Sequence, residues 1–343
     1  VTGGQLSVAN PTGSGTGSGF VQVETNSTFS IGAGGPGGSI AAPVITNNGT
    51  VRLDRSDDFT LATTIVGRGA VIKANTNTLL VPISNTYTGL TTISDGALRV
   101  SHPEALGDET GETFLSNAAG ARLELIENIT LREPIRLSQK QSAAGFAPCI
   151  VNVSGTNTLA GIIYGHTGGS YWTFRPDNGL MIVSGVFINT TTSGNRYLRL
   201  LGAAPGDWQT DFGNNPQGGT SLNHLLKEDV GTWTLSGNNT YNGVTYVGGG
   251  LLLVNGAILN SSSVQVTNGA LGGTGLIQSP VTVGAEGALA GHEVGRDVQA
   301  GTHGGDRGIQ REVSVGEAEP AIPLALLEDL TERNPEVAPQ QAE

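Results

Sequence analysis

The apolar positions of the chain alternate with polar ones over short runs, as in 251–254, 264–266 and 281–283. A period of two residues places one face of a β-strand in a core and the other outside it. Asn-Gly, Gly-Gly and Ser-Pro pairs separate the runs, and such pairs form turns. The pattern therefore predicts an all-β protein that is built from many short strands.

A frame of the form Gly-x-Leu-x-Val recurs along the chain, at 4–8, 96–100 and 250–254. The sequence before the last two copies also matches, because Asn-Thr-Tyr begins at both Asn85 and Asn239. A short strand cannot bury a face alone, whereas stacked copies can, each strand bonding to the one below at about 4.8 Å. The recurrence favours a parallel β-solenoid. An antiparallel sandwich, which would explain the alternation but not the recurring sequence, stays open.

The segment 231–243 and its continuation through 250–256 to 269–275 resemble the autotransporter-associated β-strand repeat of bacterial surface proteins. The first segment reads Gly-Thr-Trp-Thr-Leu-Ser-Gly-Asn-Asn-Thr-Tyr-Asn-Gly. The likeness is close over about 224–290 and weaker over 80–107. It implies a right-handed parallel β-helix outside the cell, and it implies no catalytic residues because the repeat is architectural.

Composition excludes several classes of protein. Glycine accounts for 53 of 343 residues, charged residues for 13 % and aromatic residues for 5 %. A formal net charge of −12 disfavours nucleic acid as a partner, and the single cysteine, Cys149, excludes an intrachain disulfide. No apolar run approaches the roughly 20 residues of a membrane span. Because the chain begins at Val1 without a basic-then-apolar leader, we expect a secreted or cell-surface protein whose signal peptide has been removed.

Charge and patterning divide the chain into two segments. We expect a β-solenoid over 1–291, with an irregular, loop-bearing middle at about 140–225, and an acidic extension over 292–343. The extension carries eleven acidic and four basic residues. Its low apolar content predicts largely irregular structure, apart from a strand-like island at 312–316 and a short helix at 323–332.

The open ends of a solenoid suggest assembly. Each end is an unpaired sheet edge that needs a cap or a partner. We expect the extension of one subunit to complete the sheet of the next by strand addition, which produces a head-to-tail homopolymer. The alternative is that the extension caps its own coil. The apolar residues expected at the contact between subunits are Val313, Val315, Leu326, Leu327 and Leu330.

Signals for catalysis and for metal or cofactor binding are weak. The five histidines lack the spacing of a zinc site, and the acidic segment 54–58 is interpreted as a solvated turn rather than a cation site. We therefore expect no enzyme activity, no metal and no cofactor. Carboxylates could still meet across rungs as a catalytic pair, and the nearest candidates are Glu104, Asp108, Glu124 and Glu127.

Aromatic residues and glycosylation sequons are the remaining candidate sites. Aromatic residues gather in the segments 171–174 and 203–208, which we interpret as loops that project from the coil. There the rings either contact glycans or pack in the core: Tyr171, Trp172, Phe174 and Trp208. Sequons of the form Asn-x-Ser/Thr mark seven candidate N-glycosylation sites: Asn26, Asn48, Asn128, Asn152, Asn189, Asn238 and Asn260.

The sequence thus predicts an extracellular structural protein. We expect a β-solenoid subunit of a bacterial surface fibre or filament, assembled head-to-tail through its extension and adhesive in role. The alternative is a monomeric β-helix protein that binds or cleaves glycans. The partners expected are a second copy of the chain and surface glycans, with no nucleic acid and no membrane span.

Overall fold

A computed structural model describes residues 1–140 and 147–290, together with the backbone of the strand at 298–300. Within these residues the chain forms strands and turns and no helix. Every strand pair in this described part of the chain is parallel, and a single antiparallel bridge there joins Lys140 to Tyr171. The parallel β-solenoid is therefore confirmed, and the antiparallel sandwich is excluded.

The strands follow one another closely along the chain. In the first half they are β1 (Gly4–Val8), β2 (Val21–Val23), β3 (Ser27–Ile31), β4 (Val44–Asn47), β5 (Thr50–Leu53), β6 (Phe59–Thr60), β7 (Thr64–Gly67), β8 (Ala70–Lys73), β9 (Thr78–Val81), β10 (Thr91–Ile93), β11 (Ala97–Val100), β12 (Thr113–Leu115), β13 (Arg122–Leu125), β14 (Thr130–Leu131), β15 (Ile135–Ser138), β16 (Ile150–Asn152), β17 (Thr156–Leu159) and β18 (Ile163–His166). In the second half they are β19 (Tyr171–Pro176), β20 (Leu180–Val183), β21 (Phe187–Asn189), β22 (Asn195–Leu200), β23 (Gly206–Trp208), β24 (Leu222–Lys227), β25 (Thr232–Leu235), β26 (Asn238–Asn239), β27 (Val244–Val247), β28 (Leu251–Val254), β29 (Ala257–Ile258), β30 (Ser263–Val266), β31 (Ala270–Gly272), β32 (Leu276–Ile277), β33 (Val281–Val283), β34 (Ala288–Ala290) and β35 (Val298–Ala300).

Strands from successive turns of the coil stack into five sheets. The largest runs in the order β35-β33-β30-β27-β24-β22-β19-β16-β13-β11-β9-β6. A second contains β1-β3-β5-β8-β10-β12-β15-β18-β21 and a third contains β14-β17-β20-β23-β25-β28-β31-β34. Two short sheets, β2-β4-β7 and β26-β29-β32, complete the coil. Sheet neighbours are far apart in sequence because the chain completes a whole turn of the coil before it returns to the same sheet.

The core is a column of apolar side chains from the inward positions of the strands. Phe29 on β3 is in register with Val51 on β5, which is in register with Val71 on β8. All three are buried, while Arg52, between the two inward residues of β5, lies on the outer face. Burying each such apolar side chain contributes about 1.5–3 kcal/mol. The period-two pattern of the sequence is therefore the pattern of a stacked core.

Glycines are abundant because neighbouring rungs approach closely at the corners. A Cβ on Gly185 would lie 1.8 Å from the carbonyl oxygen of Gly161 on the adjacent turn. Gly250 has a φ of 60°, in the left-handed region where a side chain is strained. Corners of this kind accept glycine far more readily than any other residue, which explains much of the unusual composition.

The middle of the chain is more regular than the sequence predicts. The segment 171–174, interpreted as a projecting loop, belongs to β19, and 206–208 forms β23. In the acidic extension, β35 pairs in parallel with β33 of the same chain, so at this point the extension continues the coil. The island at 312–316 and the helix at 323–332 lie outside the described residues. So do the five expected contact residues, Val313, Val315, Leu326, Leu327 and Leu330.

Candidate functional site

At two corners of the coil, a buried lysine donates hydrogen bonds to backbone carbonyls around it. The side chains of Lys73 and Lys227 are 0 % exposed. Four acceptor oxygens lie 2.6–3.2 Å from the Nζ of Lys73 and share its three N–H donors: the carbonyls of Ala74, Asn75 and Asp95 and the Oδ1 of Asn77. The Nζ of Lys227 donates to three carbonyls at 2.7–2.9 Å: those of Glu228, Asp229 and Gly249. Burial lowers the pKa of both ammonium groups to about 8, and the ring of acceptors holds each group in place.

A third buried lysine closes another corner in a different way. The Nζ of Lys140 donates to carbonyls of the preceding turn, those of Ser116, Ala118 and Ala121, at 2.5–3.1 Å. These three residues are all the lysines of the chain, and each is at most 1 % exposed. The coil therefore presents no lysine ammonium group to its surroundings.

An asparagine ties three successive turns together at equivalent corners. The Oδ1 of Asn85 accepts from the backbone N–H of Ile65 at 2.8 Å, and its Nδ2 donates to the carbonyl of Ala105 at 2.7 Å. Asn239 repeats the arrangement, accepting from the N–H of Phe212 and donating to the carbonyl of Ala257, both at 3.0 Å. Both side chains are buried. Each satisfies backbone groups of two other turns that the corner would otherwise leave without partners.

A tyrosine two residues after each asparagine points into the core. Its hydroxyl shares a hydrogen bond with a threonine four residues on, at 2.7 Å for Tyr87 and Thr91 and at 2.5 Å for Tyr241 and Thr245. Burial raises the pKa of both tyrosines far above its usual range. The recurring Asn-Thr-Tyr sequence is thus a packing and bridging unit.

The aromatic residues predicted to contact glycans are mostly in the core. Trp172, Phe174 and Trp208 are 0 % exposed, and the rings of Phe174 and Trp208 meet edge to face with centroids 5.2 Å apart. A ring enclosed in this way cannot stack on a sugar, so the expectation is wrong for these three residues. The reason is that 171–174 is a strand with inward positions. Tyr171, on the outer side of β19, is half-buried and its role stays a prediction.

The outer face of the largest sheet carries a row of neighbouring rings, which we call the aromatic ladder: Tyr171, Tyr197, His224 and Tyr246. Tyr171 and Tyr197 are in register, with centroids 5.0 Å apart and planes at 19°. Tyr197 and His224 are also in register, at 4.8 Å and 19°. Tyr246, on the next strand, is in register with Leu226 rather than with His224, and its ring is tilted by 33° with its centroid 6.3 Å from that of His224. The ladder therefore spans the four adjacent strands β19, β22, β24 and β27.

The imidazole of the ladder has a defined arrangement. The Nδ1 of His224 accepts a hydrogen bond from the backbone N–H of Val244 at 2.9 Å, so the ring proton belongs on Nε2. Nε2 is buried and has no partner among the described residues. Burial also lowers the pKa of His224. The imidazole is therefore uncharged near neutral pH.

The seven sequons fall into two groups. Asn26, Asn48, Asn128, Asn238 and Asn260 are exposed, and their glycosylation stays a prediction. Asn152 and Asn189 are at most 2 % exposed, and Asn152 donates to the carbonyls of Gly155 and Asn178. Neither buried amide has room for a sugar in the folded coil, so the expectation is wrong for these two positions.

Three of the four candidate carboxylates are bound by neighbouring side chains. Glu124 accepts from Arg99 and Arg122 at 2.6 Å. Glu104 and Asp108 accept from the hydroxyls of Ser84 and Thr110, and Glu127 is an exposed corner residue with a φ of 73°. Glu124, Glu104 and Asp108 are therefore engaged by neighbouring side chains, and the pairing of these carboxylates for catalysis stays a prediction. In the acidic segment 54–58, Asp54 and Asp57 accept from Arg52 and Arg55. Within the described part of the chain, no three His, Cys, Asp or Glu side chains are placed to hold a metal ion.

Glu133 is a buried carboxylic acid that has no basic partner within the described part of the chain. Glu133 is 4 % exposed, its Oε1 accepts from the hydroxyl of Thr113 at 3.0 Å, and its Oε2 has no partner among the described residues. Burial raises the pKa of Glu133 to about 8. The side chain is therefore largely protonated at neutral pH.

The lysine and asparagine corners were not predicted from the sequence, although a signal for the lysines exists. Lys73 and Lys227 both end alternating runs at inward positions. Each is followed two residues on by Asn75 or Asp229 in a left-handed conformation, with φ of 63° and 57°. The aromatic ladder carries no comparable signal, because it depends on the register between distant strands.

The lysine and asparagine corners lie in two segments that match a known protein family. The profile of the passenger-associated-transport-repeat family matches residues 71–100 and 225–254, the two segments that begin just before Lys73 and Lys227. An autotransporter adhesin of Brucella suis biovar 1 (strain 1330), the adhesin BmaC, is 29 % identical over 236 residues, or 65 % of this chain. The chain spans 6 % of the length of that adhesin.

No solved structure matches the chain. Among the residues that the structure describes, no helix is long and apolar enough to cross a membrane. The two family matches confirm the resemblance that the sequence indicated. Both matched segments contain the same lysine and asparagine corners. The chain is therefore a parallel β-solenoid that contains passenger-associated transport repeats and resembles autotransporter passenger proteins.

Proposed function

We propose that this chain is an extracellular, adhesive β-solenoid, and that its role is structural rather than enzymatic. The observation that carries the proposal is the similarity to an autotransporter adhesin over 236 residues, which extends well beyond the two repeat matches. The coil supports it, because stacked strands display long outer rows of side chains to the surroundings.

The arrangement of ionisable groups supports a non-enzymatic role. Glu124 is neutralised by two arginines, and Glu104 and Asp108 are bound to nearby hydroxyls. A general acid and base must lie within reach of one substrate bond, whereas these three carboxylates are engaged by neighbouring side chains. The buried lysines and the bridging asparagines bond to backbone groups and stabilise the coil.

Display of the chain on a non-adherent bacterial host tests adhesion. The chain is fused to an outer-membrane anchor, and bacteria that bind to a monolayer of epithelial cells are counted. We expect several times more bound bacteria than for a host that carries the anchor alone. Equal counts, with surface expression verified by antibody, would contradict the proposal.

We propose further that copies of the chain associate head-to-tail. β1 lies at the edge of its sheet and pairs only with β3 among the described residues, and four of its five residues are exposed. Such an edge accepts a further strand. In this arrangement the acidic extension of one copy supplies the strand that the next copy lacks.

Electron microscopy of the purified protein tests this association. We expect filaments for the full chain and isolated particles for a variant that lacks 292–343. Filaments that persist in the variant would contradict the role of the extension. Isolated particles for the full chain at high concentration would contradict head-to-tail association as a whole.

A further inference from the structure

We propose that the aromatic ladder is a binding surface for a linear, uncharged glycan, with successive sugar rings lying along successive rungs. The inference rests on the proposed function, since it names the partner that an adhesive solenoid would hold. Its residues differ from the glycan contacts that the sequence predicts, because only Tyr171 belongs to both sets.

The tyrosine hydroxyl groups of the ladder are not bonded to any of the residues that the structure describes. The core tyrosines Tyr87 and Tyr241 each share a hydrogen bond with a threonine. The hydroxyls of Tyr171, Tyr197 and Tyr246 have no hydrogen-bond partner among the described residues, and their rings are half-buried. Because neighbouring rings stack face to face, the ladder offers ring edges together with phenolic donors and acceptors, which the hydroxyl groups of a pyranose can bind.

The ladder repeats with the spacing of the coil. Ring centroids are 5.0 and 4.8 Å apart over the first two steps, close to the distance of about 4.8 Å between paired strands. A linear chain of β-1,4-linked pyranoses advances by nearly the same distance per sugar, so each aromatic side chain of the ladder can meet one sugar. A globular protein partner has no such repeat, whereas the outer face of a second copy of this chain does.

The charged side chains near the ladder are bonded within the protein, which favours an uncharged ligand. Arg196, beside Tyr197, donates to the carbonyl of Gly169, and Arg175 on β19 is paired with Asp177. His224 is neutral near neutral pH, because it is buried and its Nδ1 accepts from a backbone N–H. Arg199, two residues from Tyr197 on the same face, is paired with Glu228. The formal net charge of −12 for the whole chain repels acidic polymers.

Isothermal titration calorimetry on the full chain provides the test, with cellohexaose, xylohexaose and chitohexaose as probes and the corresponding disaccharides for comparison. We expect saturable binding of at least one hexasaccharide, about tenfold tighter than its disaccharide because more rungs are engaged. Tyr197→Ala and Tyr246→Ala should each weaken binding by about tenfold. Tyr197→Phe, which keeps the ring and removes the hydroxyl, should weaken it by about threefold.

Phe20→Ala is the matched control. Phe20 is an aromatic residue that is 76 % exposed and lies just before β2, outside the ladder, so its loss should leave affinity unchanged. Circular dichroism and the melting temperature establish that each variant is folded. The proposal is overturned if no hexasaccharide binds, or if both alanine variants bind like the original chain.

Two further outcomes separate this inference from its alternatives. Self-association that Tyr197→Ala abolishes, with no glycan bound, would assign the ladder to contacts between copies and overturn the glycan proposal. If the displayed chain adheres to cells but binds none of the probes, the inference fails and the proposed function stands. If it binds a probe but displayed bacteria do not adhere, the proposed function fails and the inference stands.

Discussion

Lys73 and Lys227 hold the same position in two copies of one repeat, and each donates to the carbonyls of the next two residues and to a third carbonyl 22 residues on. The third carbonyl belongs to the next turn, so one ammonium group joins two turns of the coil. The corner residue two positions after each lysine is left-handed, which turns its carbonyl toward the ammonium group. The repeat is therefore characterised by a corner at which a lysine ammonium group bonds to two turns of the coil, as well as by its Gly-x-Leu-x-Val frame.

Removal of a corner lysine should destabilise the coil. Lys227→Met keeps an apolar chain of similar length but leaves three carbonyls without their donor. Because each buried acceptor that loses its partner costs about 1–3 kcal/mol, partly offset by no longer burying a charge, we expect a loss of about 2–4 kcal/mol in the free energy of unfolding. Urea denaturation measures it. Arg68→Met, at an exposed position, is the control and should change little; an equal effect of both would contradict the role of the corner.

The folded chain should resist reagents that acylate lysine. All three lysines are buried, so brief treatment with an N-hydroxysuccinimide ester at neutral pH should label the α-amino group and no lysine. Mass spectrometry of peptides locates the label. Denaturation in urea before treatment should expose all three lysines to the reagent. Rapid labelling of Lys73 or Lys227 in the folded chain would be incompatible with the closed corners.

Substitution of the bridging Asn239 should lower the free energy of unfolding far more than substitution of its neighbour Asn238. Asn239→Ala removes the side chain that bonds to the turns before and after it, and we expect a loss of about 2–4 kcal/mol in the free energy of unfolding. Asn238→Ala, at the adjacent exposed position, should lie within about 0.5 kcal/mol of the original chain. Chemical denaturation of the two variants in parallel gives the comparison, and similar losses in both would count against the bridge.

Glu133 should make the stability of the coil depend on pH. Its pKa is raised from 4.5 to about 8, so between these values the folded chain binds more protons than the unfolded chain, and stability falls as pH rises. Glu133→Gln removes the ionisable group and should raise the free energy of unfolding by about 2–4 kcal/mol at pH 8. At pH 4.5 it should have little effect.

Thermal denaturation of both chains at the two pH values checks the sign of this effect. Glu109→Gln, which alters an exposed carboxylate, serves as the control and should leave the pH profile as it is. If the stability of Glu133→Gln depends on pH in the same way as that of the original chain, Glu133 is not the cause of the fall in stability with rising pH.

The strand content was predictable from sequence where apolar and polar residues alternate. The frames at 96–100 and 250–254 contain β11 and β28. The interpretation failed at β19, because the outer position of Tyr171 is aromatic and two inward positions, Trp172 and Phe174, are aromatic as well. Where both faces carry large rings, the contrast that marks a strand is lost.

The aromatic ladder could not be predicted, since its existence depends on the length of each turn. Asn85 reaches partners 20 residues away on both sides, whereas Asn239 reaches 27 residues back and 18 residues forward. Turns of unequal length place residues in register that no fixed period connects. The corner lysines were recognisable in principle, because a lysine at the inward position of an alternating run must find acceptors in the core.

The corners, the bridges and the ladder all depend on turns that stack into one parallel coil, and a distance between two outer positions measures that stacking. Leu80 on β9 and Gln265 on β30 are separated by eight strand-to-strand steps in one sheet, which predicts about 40 Å at about 4.8 Å per step. Nitroxide labels at cysteines introduced there, with the buried Cys149 replaced by alanine, report the distance by double electron–electron resonance. A single distribution centred near 40 Å is the expected result, and one centred below about 25 Å would contradict the parallel coil.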